Sequence, residues 1–373
     1  MKATIKKHII NARGYRLNQK LIVFESDDWG AIRIPDIQTR EELLKNGLLK
    51  QNDPFSRFDS LESTEDYEAF FNVLNKHHDK NGHHPVITAN FILNNPDFEA
   101  IKKENFERYV AEPFTETYKK IKNSENAFQV LQQGINQNLI KPQFHGSEHL
   151  NVVRWMNYLK SDNERFHNAF NKKCFAIDEI GNHNRRHNLM ATYDYDNEEE
   201  LAFIKKNIKS GLKQFENIFG FKSLTSIAPC YVWDNQIEQE MLNNEVIAFQ
   251  GSFLQNYPVS GKPFKKIYHY NGQKNNSKQF YFVRNGLFEP SLNLNIDWVS
   301  KCMESIEIAF KWGKPAIIGT HRINFVGQMD ARQRNENLKM LSHLLSKITQ
   351  KWKDIQFSST DNLIKLYENV NND

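Results

Sequence analysis

Short apolar runs alternate with amphipathic stretches of helical period along most of this chain, and few folds accommodate that alternation. Leu21–Glu25 (LIVFE) reads as a fully buried strand that runs into acidic residues. Thr64–Lys80 reads as a helix with its start signal at Ser63 and Thr64, and Val86–Leu93 as the next buried strand. Helical periodicity covers 112–139 in two pieces, and Ile140–Phe144 then forms a strand leading into His145. Glu198–Phe219 is a strong helix closed by Gly220, followed by a strand over Leu224–Ala228 that ends at Pro229. A helix over Asn235–Asn243 separates this strand from the next, Val246–Gln250, and Phe280–Arg284 follows as a further strand. The pattern closes with a helix (Trp298–Trp312), a strand (Ala316–Thr320) ending at His321, a long helix (Arg332–Thr349) and a short strand (Gln356–Ser358). Seven or eight strands alternating with helices predict a (β/α) barrel or a doubly wound sheet.

A length of 373 residues allows two domains, but barrels of this size form one, so residues 1–373 are read as one barrel domain with its core at about 20–365. Residues 150–197 and 251–280 are polar and read as irregular insertions at the barrel mouth. The chain is 39% hydrophobic and 25% charged, enough apolar material for a sizeable core. Its 49 basic and 45 acidic residues are interspersed, with no long basic block, which argues against a nucleic-acid partner. Three scattered cysteines without a CxxC argue against a disulfide framework. The basic N-terminus lacks the apolar core of a signal peptide, and no stretch approaches the ~20 apolar residues of a membrane helix. A cytoplasmic location is therefore expected; the oligomeric state is open.

Potential ligands and acid–base groups collect where strands end: Asp27 and Asp28 after the first, His145 after the third, His321 after a late one. In α/β folds the carboxyl ends of strands converge on one mouth. Adjacent carboxylates repel unless a cation or proton is shared, so Asp27-Asp28 reads either as a metal ligand beside a general base or as an ordinary turn or helix cap. His145 and His149, spaced i, i+4, read either as a metal pair or as ordinary histidines; His183 and His187 have the same spacing but enclose Arg185 and Arg186 and follow no clear strand. Two imidazoles and a carboxylate would leave positions open on Zn²⁺ or a similar divalent ion, which lowers the pKa of water toward ~7 and polarises a carbonyl oxygen. Asp27 could then take a proton and His321 give one, which suits hydrolysis of an amide or ester.

The order of these groups resembles the polysaccharide deacetylases of the NodB-homology type, carbohydrate esterase family four. Glu25–Asp28 (ESDD) resembles the family's TxDD block, His145–His149 (HGSEH) its H(S/T)xxH block, and Ala228–Tyr231 (APCY) its RxPY block. Asp297-Trp298 resembles the block carrying Asp and Trp, and Ile317–His321 (IIGTH) the closing block with LxH. The resemblance spans about 20–365 and implies a distorted (β/α)7–8 TIM-like barrel with long loop insertions. It implies Asp27 as general base, Asp28, His145 and His149 as ligands of a divalent metal with zinc favoured, and His321 as general acid. It also implies the backbone N–H of Tyr231 at the oxyanion, Trp298 lining an acetyl pocket, and an acetylated carbohydrate as substrate, deacetylated at nitrogen or oxygen. Two positions depart from the pattern: the family's Arg is Ala228, and Gly146 stands where Ser or Thr is usual. Arg284 or Arg33 is the expected substitute for the missing Arg.

Sugars stack on aromatic rings, so Trp29 and Trp298 are candidate platforms among the aromatics flanking the motifs. Tyr193, Asp194 and Tyr195 could form a lid. Two rival functions remain. One is a glycoside hydrolase with Asp27 and Glu289 as its carboxylates. The other is a non-catalytic carbohydrate-binding protein, for which Ala228 is the best support.

Overall fold

A computed structural model describes residues 2–177 and 188–370. Nine strands matter to the site: β1 (Leu21–Trp29), β2 (Ile87–Phe91), β3 (Ile140–Phe144), β4 (Thr225–Ile227), β5 (Ala248–Gly251), β6 (Phe280–Val283), β7 (Gly286–Leu287), β8 (Ala316–His321) and β9 (Gln356–Ser358). Neighbours pair in parallel in the order β6-β5-β4-β3-β2-β1-β8-β7. The two ends of this path are consecutive pieces of one extended run. Arg284 N–H donates to Gly251 O on β5 (2.8 Å), and Asn285 N–H donates to Ile317 O on β8 (3.0 Å). The chain therefore closes the sheet on itself as a barrel. The short β9 pairs with Leu21–Val23 below the point where β2 joins β1 at Phe24, so the barrel is distorted at its base. The expected TIM-like (β/α)7–8 barrel is the observed fold.

Side chains alternate along β1, and each face has its own environment. Leu21 and Val23 pack with Phe280, Phe282 and Ile317, beneath a C-terminal helix (Thr360–Val370) that contributes Leu363, Ile364 and Tyr367. Ile22 and Phe24 face the surrounding helices. On the interior face the apolar pair gives way to Glu25 and then Asp27, both buried. Polar neighbours meet them: Asn90 and Gln250 exchange amide hydrogen bonds (2.8 and 2.9 Å), and Gln250 donates to Thr225 (2.8 Å). The barrel is thus apolar at its base and hydrogen-bonded toward its mouth.

The helices follow their sequence signals closely. α1 (Thr64–Leu74) starts in a capping box between Ser63 and Asp66, but stops short of the expected Lys80. α2 (Glu198–Phe219) ends at Gly220 with φ +77°. α3 (Trp298–Lys311) and α4 (Ala331–Lys351) pack on one another.

The insertions are not irregular, contrary to expectation. Val152–Lys160 and Glu164–Phe170 are helices, and Trp155, Leu159, Phe166 and Phe170 build a second core with Leu43, Leu48 and Ile101. Val152, Trp155, Met156 and Leu159 repeat at helical spacing, a signal only two turns long and easily lost in a polar context. In the later insertion, Leu254–Val259 and Lys262–Tyr268 form an antiparallel hairpin. Among the described residues no helix is long and apolar enough to cross a membrane.

Candidate metal and acid–base site

A bulge explains how two consecutive carboxylates serve one site. Strict alternation would send Asp27 and Asp28 to opposite faces of β1. The pairing of β1 with β2 shifts between Ser26 and Trp29: Ser26 faces Ala89, yet Trp29 faces Phe91, two positions further on. The extra residue is absorbed with Asp28 at φ +75°, a left-handed conformation that Asp tolerates better than most side chains. Asp27 keeps its interior direction while Asp28 turns to the end of β3.

There the Asp28 carboxylate meets both histidines. Oδ1 lies 3.4 Å from His145 Nε2 and 3.3 Å from His149 Nε2. One donor atom from each of Asp28, His145 and His149 lies within 4.8 Å of the other two. The histidines come together through a loop, not a helix. His145 Nδ1 is 2.8 Å from Ile227 O at the end of β4, which fixes the proton on Nδ1 and leaves the Nε2 lone pair for a ligand. Burial drives the His149 pKa down to about 3, so its ring is neutral at ordinary pH. Burial opposes the Asp28 charge, but Arg33 and then His149 overcome it and hold the carboxyl well below its usual range. Asp28 Oδ1 has no hydrogen-bond partner although buried. A desolvated carboxylate oxygen facing the Nε2 atoms of two imidazoles is a donor set that suits a divalent cation, so these residues fit one. Gly146, a departure from the family pattern, is explained by the loop: its φ is +122°, and an added Cβ would lie 3.1 Å from Glu148 O.

Asp27 is held on both oxygens. Arg284 Nη1 donates to Oδ2 (2.6 Å), Arg284 Nη2 to Oδ1 (2.7 Å), and Asn90 Nδ2 also to Oδ1 (2.8 Å). Arg284 Nε reaches Glu25 (2.7 Å), whose other oxygen accepts from Thr360 (2.8 Å). The guanidinium comes from the end of β6 to the carboxylate that an Arg at position 228 would be expected to serve. Its path needs Gly319 on β8, where a Cβ would stand 2.6 Å from Arg284 Cδ. Burial raises the Asp27 pKa and Arg284 more than offsets it, so the net shift is downward.

His321 completes the group. Its Nε2 is 3.8 Å from Asp27 Oδ2, and its Nδ1 is 2.7 Å from Glu289 Oε1. Glu289 is oriented in turn by Asn324 Nδ2 (2.8 Å). Burial would lower the His321 pKa, but Glu289 outweighs it and the value rises to about 9. The imidazolium at neutral pH is suited to give a proton. Because the folded pKa lies above the unfolded value of ~6.5, the stability from this pairing is fully present below that pH and disappears as pH rises through about 9. Glu289→Gln is expected to bring the His321 pKa to 6.5 or below, read from its ring resonances in metal-free protein; an unchanged midpoint would contradict the pairing.

Other expected residues lie elsewhere or act differently. The Tyr231 N–H is already donated to Ala228 O (2.9 Å) in a turn, so in this conformation it is not available to an oxyanion. Its phenol, however, lies beside Arg284 and Asp27; burial pushes its pKa up to about 12, leaving a protonated donor. Asp297, expected near the substrate, is exposed and caps α3 through Ser300 N (2.9 Å). Trp298 is buried beside Lys301, its indole donating to Asn293 O (2.9 Å). Trp29 is corrected outright: it is 1% exposed, stacked on Tyr67 in the core, and cannot be a sugar platform. Tyr193 and Asp194 are buried, with Asp194 paired to Arg154 (2.7 Å), so they form no open lid. His183 and His187 fall outside the described residues.

No family model and no curated protein matches the chain. Solved structures do match at low similarity. A 4-α-glucanotransferase from Thermococcus litoralis shares 10% identity over 94% of this chain, with a TM-score of 0.45. This chain spans only 40% of that enzyme's length. A probable polysaccharide deacetylase from Pseudomonas aeruginosa shares 6% over 92% of this chain and 89% of its own (TM-score 0.46). Puue allantoinase shares 8% over 92% and 89% (TM-score 0.42). At such identities none of them passes its activity to this chain.

Proposed function

We propose that this protein is a divalent-metal hydrolase that removes an N- or O-acetyl group from a carbohydrate, with zinc as the metal. The observation that carries the reading is the convergence of Asp28, His145 and His149 around an unsatisfied carboxylate oxygen, with Asp27 and His321 beside them. A bound ion would supply Lewis acidity, lowering the pKa of water toward ~7 and polarising the acyl oxygen. Asp27, charged and held by Arg284, takes the proton from the attacking water. His321, protonated through Glu289, returns one to the departing nitrogen or oxygen. The Tyr231 hydroxyl, beside Arg284 and Asp27, then donates to charge that develops on the substrate. The family resemblance selects the acetylated sugar.

Both rivals lose support. A two-carboxylate glycosidase would leave the converging Asp28, His145 and His149 without a role. A decayed scaffold rested on Ala228, and Arg284 serves Asp27 from another strand. Zinc-loaded protein is expected to release acetate from one or more of a panel of N- and O-acetylated sugars and to lose that activity with a chelator. Cleavage of glycosidic bonds without acetate would overturn the proposal, as would full activity in metal-free protein.

A further inference from the structure

We infer that Arg33 is a positioning residue for Asp28, holding its carboxylate in the ion-binding orientation and so setting the cation affinity of the site. This rests on the metal reading above and adds a residue that the ligand set does not include.

Asp28 needs an external hold. Its left-handed backbone costs ~1–2 kcal/mol and places it in a bulge, where no ladder of neighbours fixes its side chain. Its two oxygens have divided roles. Oδ2 accepts from Arg33 Nη2 at 2.8 Å, while Oδ1 lacks a hydrogen-bond partner and faces both imidazoles. Among the described residues Arg33 is the only group hydrogen-bonded to this carboxylate. Ligating carboxylates are commonly oriented in this way, and losing such a partner costs ~10–100-fold in metal affinity.

Arg33 is itself built in. Its Nε lies 3.3 Å from Asp59 Oδ2, and its guanidinium stacks 4.5 Å from the centre of the Phe55 ring. Asp59 is clamped by Arg322, which donates to both its oxygens (3.1 and 3.0 Å). The result is a chain of alternating charge, Arg322–Asp59–Arg33–Asp28, that runs from the residue after His321 to the metal ligand. A flat guanidinium can touch two carboxylates and lie on a ring at once; a lysine ammonium cannot.

One effect opposes the inference. Arg33 is a cation beside a cation site, and repulsion alone would make its removal tighten binding. The sign of the change therefore separates orientation from repulsion. Orientation should win, because Asp28 has no second hydrogen bond to hold it once Arg33 is gone.

The test uses full-length, metal-stripped protein and zinc affinity measured by competition with a chromophoric chelator. Wild type should bind one zinc ion and Asp28→Asn should bind far more weakly; if wild type binds none, the metal reading fails and this inference falls with it. Arg33→Gln should bind zinc ~10–100-fold more weakly; its metal-free form should also unfold more easily, because the buried Asp28 loses its cation, so affinity is read on protein shown by circular dichroism to be folded. Arg33→Lys should also weaken binding and serves if the Gln variant does not fold. Equal or tighter zinc binding by these variants, while Asp28→Asn still loses it, would overturn the role of Arg33 and leave the metal site standing.

Discussion

Asp28→Asn is expected to turn over acetylated sugar at least ~10³-fold more slowly than wild type at saturating zinc, because the activation of water by the ion is what the site exists to provide. Asn is the informative replacement. It keeps the shape of the side chain and tolerates the left-handed backbone at φ +75° better than Ala would. What it removes is the negative charge that Arg33 holds and that faces His145 and His149. Zinc titration and acetate release, run side by side on the variant, check both halves of the claim. A variant that loses zinc yet retains wild-type turnover would sink the metal mechanism.

Arg284→Met should destabilise the protein by about 3–5 kcal/mol and slow catalysis as well. The side chain is 2% exposed and binds Glu25 and Asp27, which are themselves buried. Without it two carboxylates face one another out of water, and one must take up a proton. The pH dependence then loses its balance. In wild type the lowered pKa of Asp27 contributes stability above its unfolded value, lost as pH falls through the folded one, while burial raises the Glu25 pKa and works in the opposite direction. In the variant a raised carboxyl pKa means the folded state binds more protons than the unfolded state, so stability should fall as pH rises from 5 to 7. Chemical denaturation at several pH values reads this directly. Catalysis should drop about 100-fold, the scale of misplacing a reacting group by an ångström. A variant within twofold of wild type in rate, with an unchanged unfolding free energy, would show that Arg284 neither orients the base nor balances its charge.

Much of the barrel was legible because its signals are local. A parallel strand buried on both faces is largely apolar, and LIVFE and the Val86–Leu93 run show that without any partner in view. Gly220 closes α2 where a left-handed residue is needed. The helices of the first insertion were missed because two turns of periodicity do not stand out from a polar background. Trp29 was misread for a different reason: position next to a motif carries no information about burial, and the ring turns into the core against Tyr67.

The site divides in the same way. Asp27, Asp28, His145, His149 and His321 could be picked out because strand ends in a barrel converge, so their places along the chain already imply a common mouth. The supporting groups were legible only in part: Arg284 and Arg33 stood as candidates for the missing Arg, but which carboxylate each serves did not show. Arg284 reaches Asp27 across 257 positions, Glu289 reaches His321 across 32, and Arg322 reaches Asp59 across 263. Such pairs leave no spacing pattern, since side chains far apart in sequence meet only once the barrel has closed. The sequence by itself therefore determined the fold class and the residues that could do chemistry. The tertiary structure decided which groups hold them, because orientation and charge balance belong to three-dimensional neighbours. It put Arg284 and not Arg33 on Asp27, paired His321 with Glu289, and placed Arg33 on Asp28.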